Sequence, residues 1–93
     1  VAGHAGLFST GADLARLARA YLNGGALDGV RVFRPEAIAD FTRAHDTTVS
    51  RRALGWETPT GGNSAGTRLS PRAFGHTGFT GTSLWIDPER GIY

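Results

Sequence analysis

A length of 93 residues, with 40% hydrophobic and 19% charged side chains, fits one small globular domain and excludes a disordered tract. All ten basic residues are arginine; they carry the net charge to +2 and the pI to about 9.9, yet they lie scattered among Asp and Glu with no aromatic-interleaved stripe, which argues against a nucleic-acid partner. The chain has no cysteine, excluding disulfides and thiolate chemistry, and no apolar run near the roughly 20 residues that a membrane-spanning helix needs.

In chain order, the Gly-rich opening Val1-Ala2-Gly3-His4-Ala5-Gly6-Leu7-Phe8 lacks helical period and reads as a loop that His4 helps to fix. A helix follows. Thr10 is its N-cap, and Asp13, three residues on, answers it and favours the positive helix end. Leu14, Leu17, Ala18, Tyr21 and Leu22 recur on a 3.6-residue period, which predicts one apolar stripe with Arg16 and Arg19 off it. Asn23-Gly24-Gly25 stops the helix with residues that tolerate left-handed backbone. Residues 26–33 read as a tight turn and a short extended piece. Pro35 opens a second helix carrying Ala37, Ile38 and Phe41 and ending near Ala44.

Residues 45–52 are polar and predict a loop, residues 53–57 a strand, and residues 58–68 a Gly/Ser/Asn-rich surface loop. The last third is β: a strand over 72–76, a turn over 78–81, a strand over 82–86, a Pro- and Gly-marked hairpin turn over 87–91, and the start of a third strand at Ile92-Tyr93. Helices followed by an antiparallel meander predict an α+β chain. The chain begins at Val1 and stops within an apolar run at Gly91-Ile92-Tyr93, so the expectation is an excerpt of a longer protein. An excerpt of this kind should expose apolar faces that the remainder covers.

The segment with chemical potential is Gly75-His76-Thr77-Gly78-Phe79-Thr80-Gly81. Glycines flanking a Thr at a strand end allow a substrate to approach the backbone, and a strand edge there offers N–H groups of the kind that stabilise an oxyanion. The alternative on spacing alone is a tight turn whose glycines serve only backbone geometry. A phosphate-binding loop does not fit, because no Gly-Lys-Ser/Thr follows and the chain continues into a strand rather than a helix.

Three blocks, in order over nearly the whole chain, resemble the β-lactamase and penicillin-binding-protein superfamily of serine hydrolases, nearest its class C, D-alanyl-D-alanine carboxypeptidase and esterase members. They are Ala2-Gly3-His4-Ala5-Gly6-Leu7-Phe8-Ser9-Thr10 with Asp13-Leu14-Ala15-Arg16-Leu17; Leu54-Gly55-Trp56; and Gly75-His76-Thr77-Gly78 running into Thr82-Ser83-Leu84-Trp85-Ile86-Asp87-Pro88. The resemblance implies an antiparallel sheet flanked by helices, with residues 1–93 as the C-terminal portion of the domain. It implies that Thr77 hydrogen-bonds the substrate, that His76 stands where Lys is common, that Gly78 keeps the wall open, and that the Phe79 N–H completes an oxyanion hole. It implies a small-molecule or peptide substrate (a β-lactam, a D-Ala-D-Ala-type peptide or a small ester) and no metal or organic cofactor.

The family's nucleophile lies in a Ser-x-x-Lys motif, which a chain without lysine cannot hold. Tyr21-Leu22-Asn23 matches the family's Tyr-x-Asn motif only on paper, since Tyr21 falls on the apolar stripe of a helix and reads as core. Both motifs lie upstream in the family. The resemblance therefore implies that these residues supply one wall of an acyl-transfer site and would be inactive alone; the alternative is a non-catalytic member that binds peptidoglycan-like ligands. His4, His45 and His76 stand too far apart in the sequence to predict a metal site, Trp56 and Trp85 read as core, and Glu57 and Asp87 have no partner visible in the sequence.

Overall fold

The structure, a computed structural model, describes residues 5–93. The expectations for Val1 to His4, including the role of His4, lie outside the described residues; residues 6–9 form the irregular lead-in to the first helix. That helix, α1 (Gly11–Leu22), begins where its caps dictate: the Thr10 hydroxyl accepts the Asp13 N–H at 3.1 Å and donates to the Asp13 carboxylate at 3.0 Å. Its end is a Schellman motif, with the Gly25 N–H on the Ala20 carbonyl at 2.8 Å and the Gly24 N–H on the Tyr21 carbonyl at 3.2 Å. Both glycines have positive φ, and a Cβ on Gly25 would collide with the Phe33 carbonyl.

The predicted stripe is corrected in its upper half. Ala18 and Ala20 are the buried residues of α1, while Leu14 and Leu17 are 42% and 37% exposed. Burial has shifted toward the small residues because the sheet approaches α1 at its C-terminal half, where Ala18, Tyr21 and Leu22 meet Phe74 and Ile86. Residues 26–31 form a two-residue hairpin, with β1 (Ala26–Leu27) paired antiparallel to β2 (Val30–Arg31). Its turn residues Asp28 and Gly29 both have positive φ, the pattern of a type I′ turn. The second helix, α2 (Pro35–Phe41), is shorter than expected, closing at Thr42, whose hydroxyl returns to the Ile38 carbonyl at 2.8 Å.

The chemistry-bearing hairpin is β3 (Phe74–Thr77) against β4 (Ser83–Ile86), in the register Phe74↔Ile86, Gly75↔Trp85, His76↔Leu84 and Thr77↔Ser83. The strand expected over 53–57 is reduced to a single bridge from Glu57 to Gly75. The cause is local: Gly55 has φ +80° and the Ala53 N–H folds back onto the Trp56 carbonyl at 3.0 Å, so the segment is a turn that straightens only at Glu57. The third strand likewise begins as one bridge, Asp87 to Ile92. The architecture of the described residues is α+β, two helices with two small antiparallel sheets.

Phe74 and Ile86 sit on one face of the hairpin and pack under α1. Tyr21, Trp56 and Phe74 form a mutually touching aromatic cluster with ring centroids 5.3–5.6 Å apart, and Phe33 joins it through Tyr21. Tyr21 and Trp56 therefore take the core roles read from the sequence, and burial pushes the Tyr21 hydroxyl above its ordinary pKa against the opposing pull of Trp56. Among the described residues no helix is long and apolar enough to cross a membrane. Leu7, Phe8, Val49 and Phe79 stand almost wholly exposed.

Candidate functional site

The hairpin has a closed end and an open end. At the closed end Asp87 is fully buried. Its carboxylate accepts the Ser70 N–H at 2.8 Å, the Ser70 hydroxyl at 2.6 Å, and the Glu89 and Arg90 N–H groups at 3.1 and 3.2 Å. Burial opposes the charge, but these donors outweigh it and hold the Asp87 carboxyl below the ordinary carboxylate range. Arg90 adds an ion pair at 3.4 Å. Asp87 thus ties the 87–91 turn to the end of the 58–70 loop.

The open end carries the predicted site residues. His76, Thr77, Gly78 and Phe79 are consecutive and all exposed. Antiparallel alternation decides where their backbone groups point. Gly75 exchanges both bonds with Glu57, N–H to O distances 3.0 and 2.7 Å, and Gly78 donates to the Thr82 carbonyl at 2.7 Å. Thr77, two residues from Gly75, therefore aims its N–H and carbonyl toward the Glu57 side of β3, beyond the last bridge. The Phe79 N–H has no acceptor among the described residues, and its side chain projects into solvent.

The glycines have tighter reasons than openness to substrate. A Cβ on Gly75 would strike the Trp85 indole and the Leu84 carbonyl, so Gly75 exists to seat Trp85. A Cβ on Gly78 would strike the Thr82 hydroxyl, so that side of Gly78 is packed rather than open. Gly81 has φ +95° and free space around it; its need is the left-handed turn.

His76 has two ring contacts. Its Nδ1 lies 2.7 Å from the Thr77 carbonyl, and its Nε2 lies 3.3 Å from Nη2 of Arg52. Arg52 also donates from Nη1 to the Glu57 carboxylate at 3.2 Å. Sequence reasoning missed Arg52 and left Glu57 without a partner. No sequence signal marks the pair, because Arg52 and His76 stand 24 positions apart. His45 instead meets Asp40, with Nε2 2.8 Å from the Asp40 carbonyl oxygen. Among the described residues no three His, Asp or Glu side chains gather as a metal site.

A family model described as Beta-lactamase matches residues 1–93. A Salmonella enteritidis protein named "Putative D-alanyl-D-alanine carboxypeptidase" is 42% identical over 93 residues, covering 95% of this chain. Proteins of the same name from Salmonella paratyphi B and Salmonella newport are each 43% identical over 95 residues, again covering 95% of this chain. In each case the chain spans 21% of the relative's own length.

Proposed function

The chain belongs to the β-lactamase family, and from that premise we propose that residues 1–93 are the C-terminal portion of a serine-hydrolase domain and supply its His-Thr-Gly wall. The substrate is a carbonyl compound attacked by a serine: an amide, lactam or ester, with a D-Ala-D-Ala-type peptide favoured by the relatives' name. No metal or organic cofactor enters this chemistry.

The supporting observation is the Phe79 N–H, without an acceptor among the described residues, at the exposed end of β3 directly beyond Thr77 and Gly78. A preorganised N–H of this kind stabilises charge that develops on a carbonyl oxygen, because it needs no reorientation when the tetrahedral intermediate forms. The serine hydroxyl adds to the carbonyl carbon, its proton passes to a neighbouring base, and the carbonyl electrons move onto the oxygen facing Phe79. Collapse of the intermediate breaks the C–N or C–O bond as the base returns its proton to the leaving nitrogen or oxygen, and leaves an acyl-enzyme that water then hydrolyses. Thr77 offers a hydroxyl and an outward N–H to hold the substrate along the strand edge. The serine and its base belong to the polypeptide outside these residues, since the Ser-x-x-Lys motif needs a lysine that this sequence lacks.

The test is to treat the full-length polypeptide with a fluorophosphonate and a fluorescent β-lactam and to map the modified residue. Modification of a serine within Ser-x-x-Lys supports the reading. No modification by either reagent of a folded polypeptide lacking that serine would favour a non-catalytic binding member of the family.

A further inference from the structure

The two contacts of the His76 ring fix its protons. A carbonyl oxygen can only accept, so Nδ1, at 2.7 Å from the Thr77 carbonyl, carries the hydrogen. A guanidinium can only donate, so Nε2, at 3.3 Å from Arg52 Nη2, presents its lone pair. Both contacts fit the Nδ1–H tautomer of His76. The permanent cation at this end of β3 is then Arg52, itself steadied by the Glu57 carboxylate at 3.2 Å.

The consequence reaches the peptide that joins Thr77 to Gly78. Its carbonyl oxygen is held by His76 Nδ1–H, and its N–H is held by the Thr82 carbonyl at 2.7 Å. Both polar atoms of one peptide plane are therefore anchored, immediately before the residue whose N–H is free. Loss of the Arg52 contact would release His76 to the other tautomer, whose bare Nδ1 repels the Thr77 carbonyl. The plane would then keep only one anchor.

We propose that Arg52, tethered by Glu57, is a positioning residue that locks His76 as the Nδ1–H tautomer and so fixes the Thr77–Gly78 peptide that aims the Phe79 N–H. Glu57 is well placed for this: its own backbone exchanges two bonds with Gly75, one residue before His76. The tautomer assignment stands on the ring contacts alone, whereas its catalytic consequence rests on the acyl-transfer reading above.

The experiment is two-bond ¹H–¹⁵N correlation NMR of histidine-labelled full-length polypeptide at pH 8, beside the rate of acylation by a fluorescent β-lactam. The expected wild-type pattern is a protonated Nδ1 and an unprotonated Nε2 at His76. Arg52→Met should shift His76 toward the Nε2–H tautomer, speed exchange of the Gly78 amide, and slow acylation about fivefold, the ratio matching one net hydrogen bond. Arg52→Lys, which still donates, should restore the wild-type pattern. Should Arg52→Met fail to fold, Glu57→Gln, which loosens the tether, should show a mixture of the two tautomers. An Nε2–H tautomer in the wild type, or an unchanged pattern in the folded Arg52→Met protein, overturns the proposal. A shifted tautomer in a protein that no reagent acylates would sustain the positioning role while removing the acyl-transfer reading.

Discussion

The two ends of one hairpin are built in opposite ways. At the closed end Phe74, Ile86 and Asp87 are buried, and Asp87 gathers four hydrogen bonds from two loops. At the open end, beginning two residues past Phe74, His76 to Phe79 are all exposed, and the Phe79 N–H has no acceptor among the described residues. Unpaired donors are costly in an interior but useful at a surface that must bind charge. On the function proposed above, the hairpin concentrates stability at one end and leaves the other free to bind substrate.

Substitutions should separate the two ends, with stability measured by denaturant or thermal unfolding of the full-length polypeptide. The largest loss is expected from Phe74→Ala, about 3–5 kcal/mol, because it empties the centre of the aromatic cluster against Tyr21 and Trp56. Asp87→Ala should cost about 3 kcal/mol by leaving the Ser70 and turn donors without their acceptor. Gly75→Ala should cost about 1–3 kcal/mol, since the indole of Trp85 must move to admit the methyl group. Thr77→Val, at the open end, should change stability by no more than about 0.5 kcal/mol while slowing acylation. A Thr77→Val protein as unstable as Asp87→Ala would erase the distinction between the ends.

The closed end also has a pH signature. Asp87 is held below its ordinary carboxylate range, so the folded form binds its proton less readily than the unfolded chain does. Its contribution is complete above the unfolded value of about 3.9 and is lost as the pH falls through the lower folded value. Asp87→Ala should flatten stability across that acidic window relative to wild type. An unchanged acid limb in the variant would mean that other carboxylates set it.

Much of this was legible in the sequence where the cause is local. Thr10 and Asp13 start α1, and Asn23-Gly24-Gly25 end it, because caps need only neighbours within one turn. The hairpin β3–β4 follows from a glycine-marked turn between two apolar runs. What escaped is set by distant contacts. Leu14 and Leu17 stand exposed and Ala20 is buried because the sheet meets only the lower half of α1, which periodicity alone does not reveal. The 53–57 strand collapsed to one bridge because a single glycine adopted a positive φ. At the site, His76, Thr77, Gly78 and Phe79 were named from a motif, while Arg52 and the partner of Glu57 came only from the folded chain. Leu7, Phe8, Leu14 and Leu17 are exposed. The 93 residues expressed by themselves should bind a hydrophobic dye and self-associate; a cooperative melt as a soluble monomer would contradict that.

The central claim is that the unpaired Phe79 N–H stabilises the oxyanion of an acyl transfer. Its most direct test compares Phe79→Pro, which deletes that N–H, with Phe79→Ala, which keeps it, in acylation of the full-length polypeptide by a fluorescent β-lactam. The account predicts a loss of about 10²–10³ in Phe79→Pro and little change in Phe79→Ala, with both proteins folded. Equal rates in the two variants would contradict it.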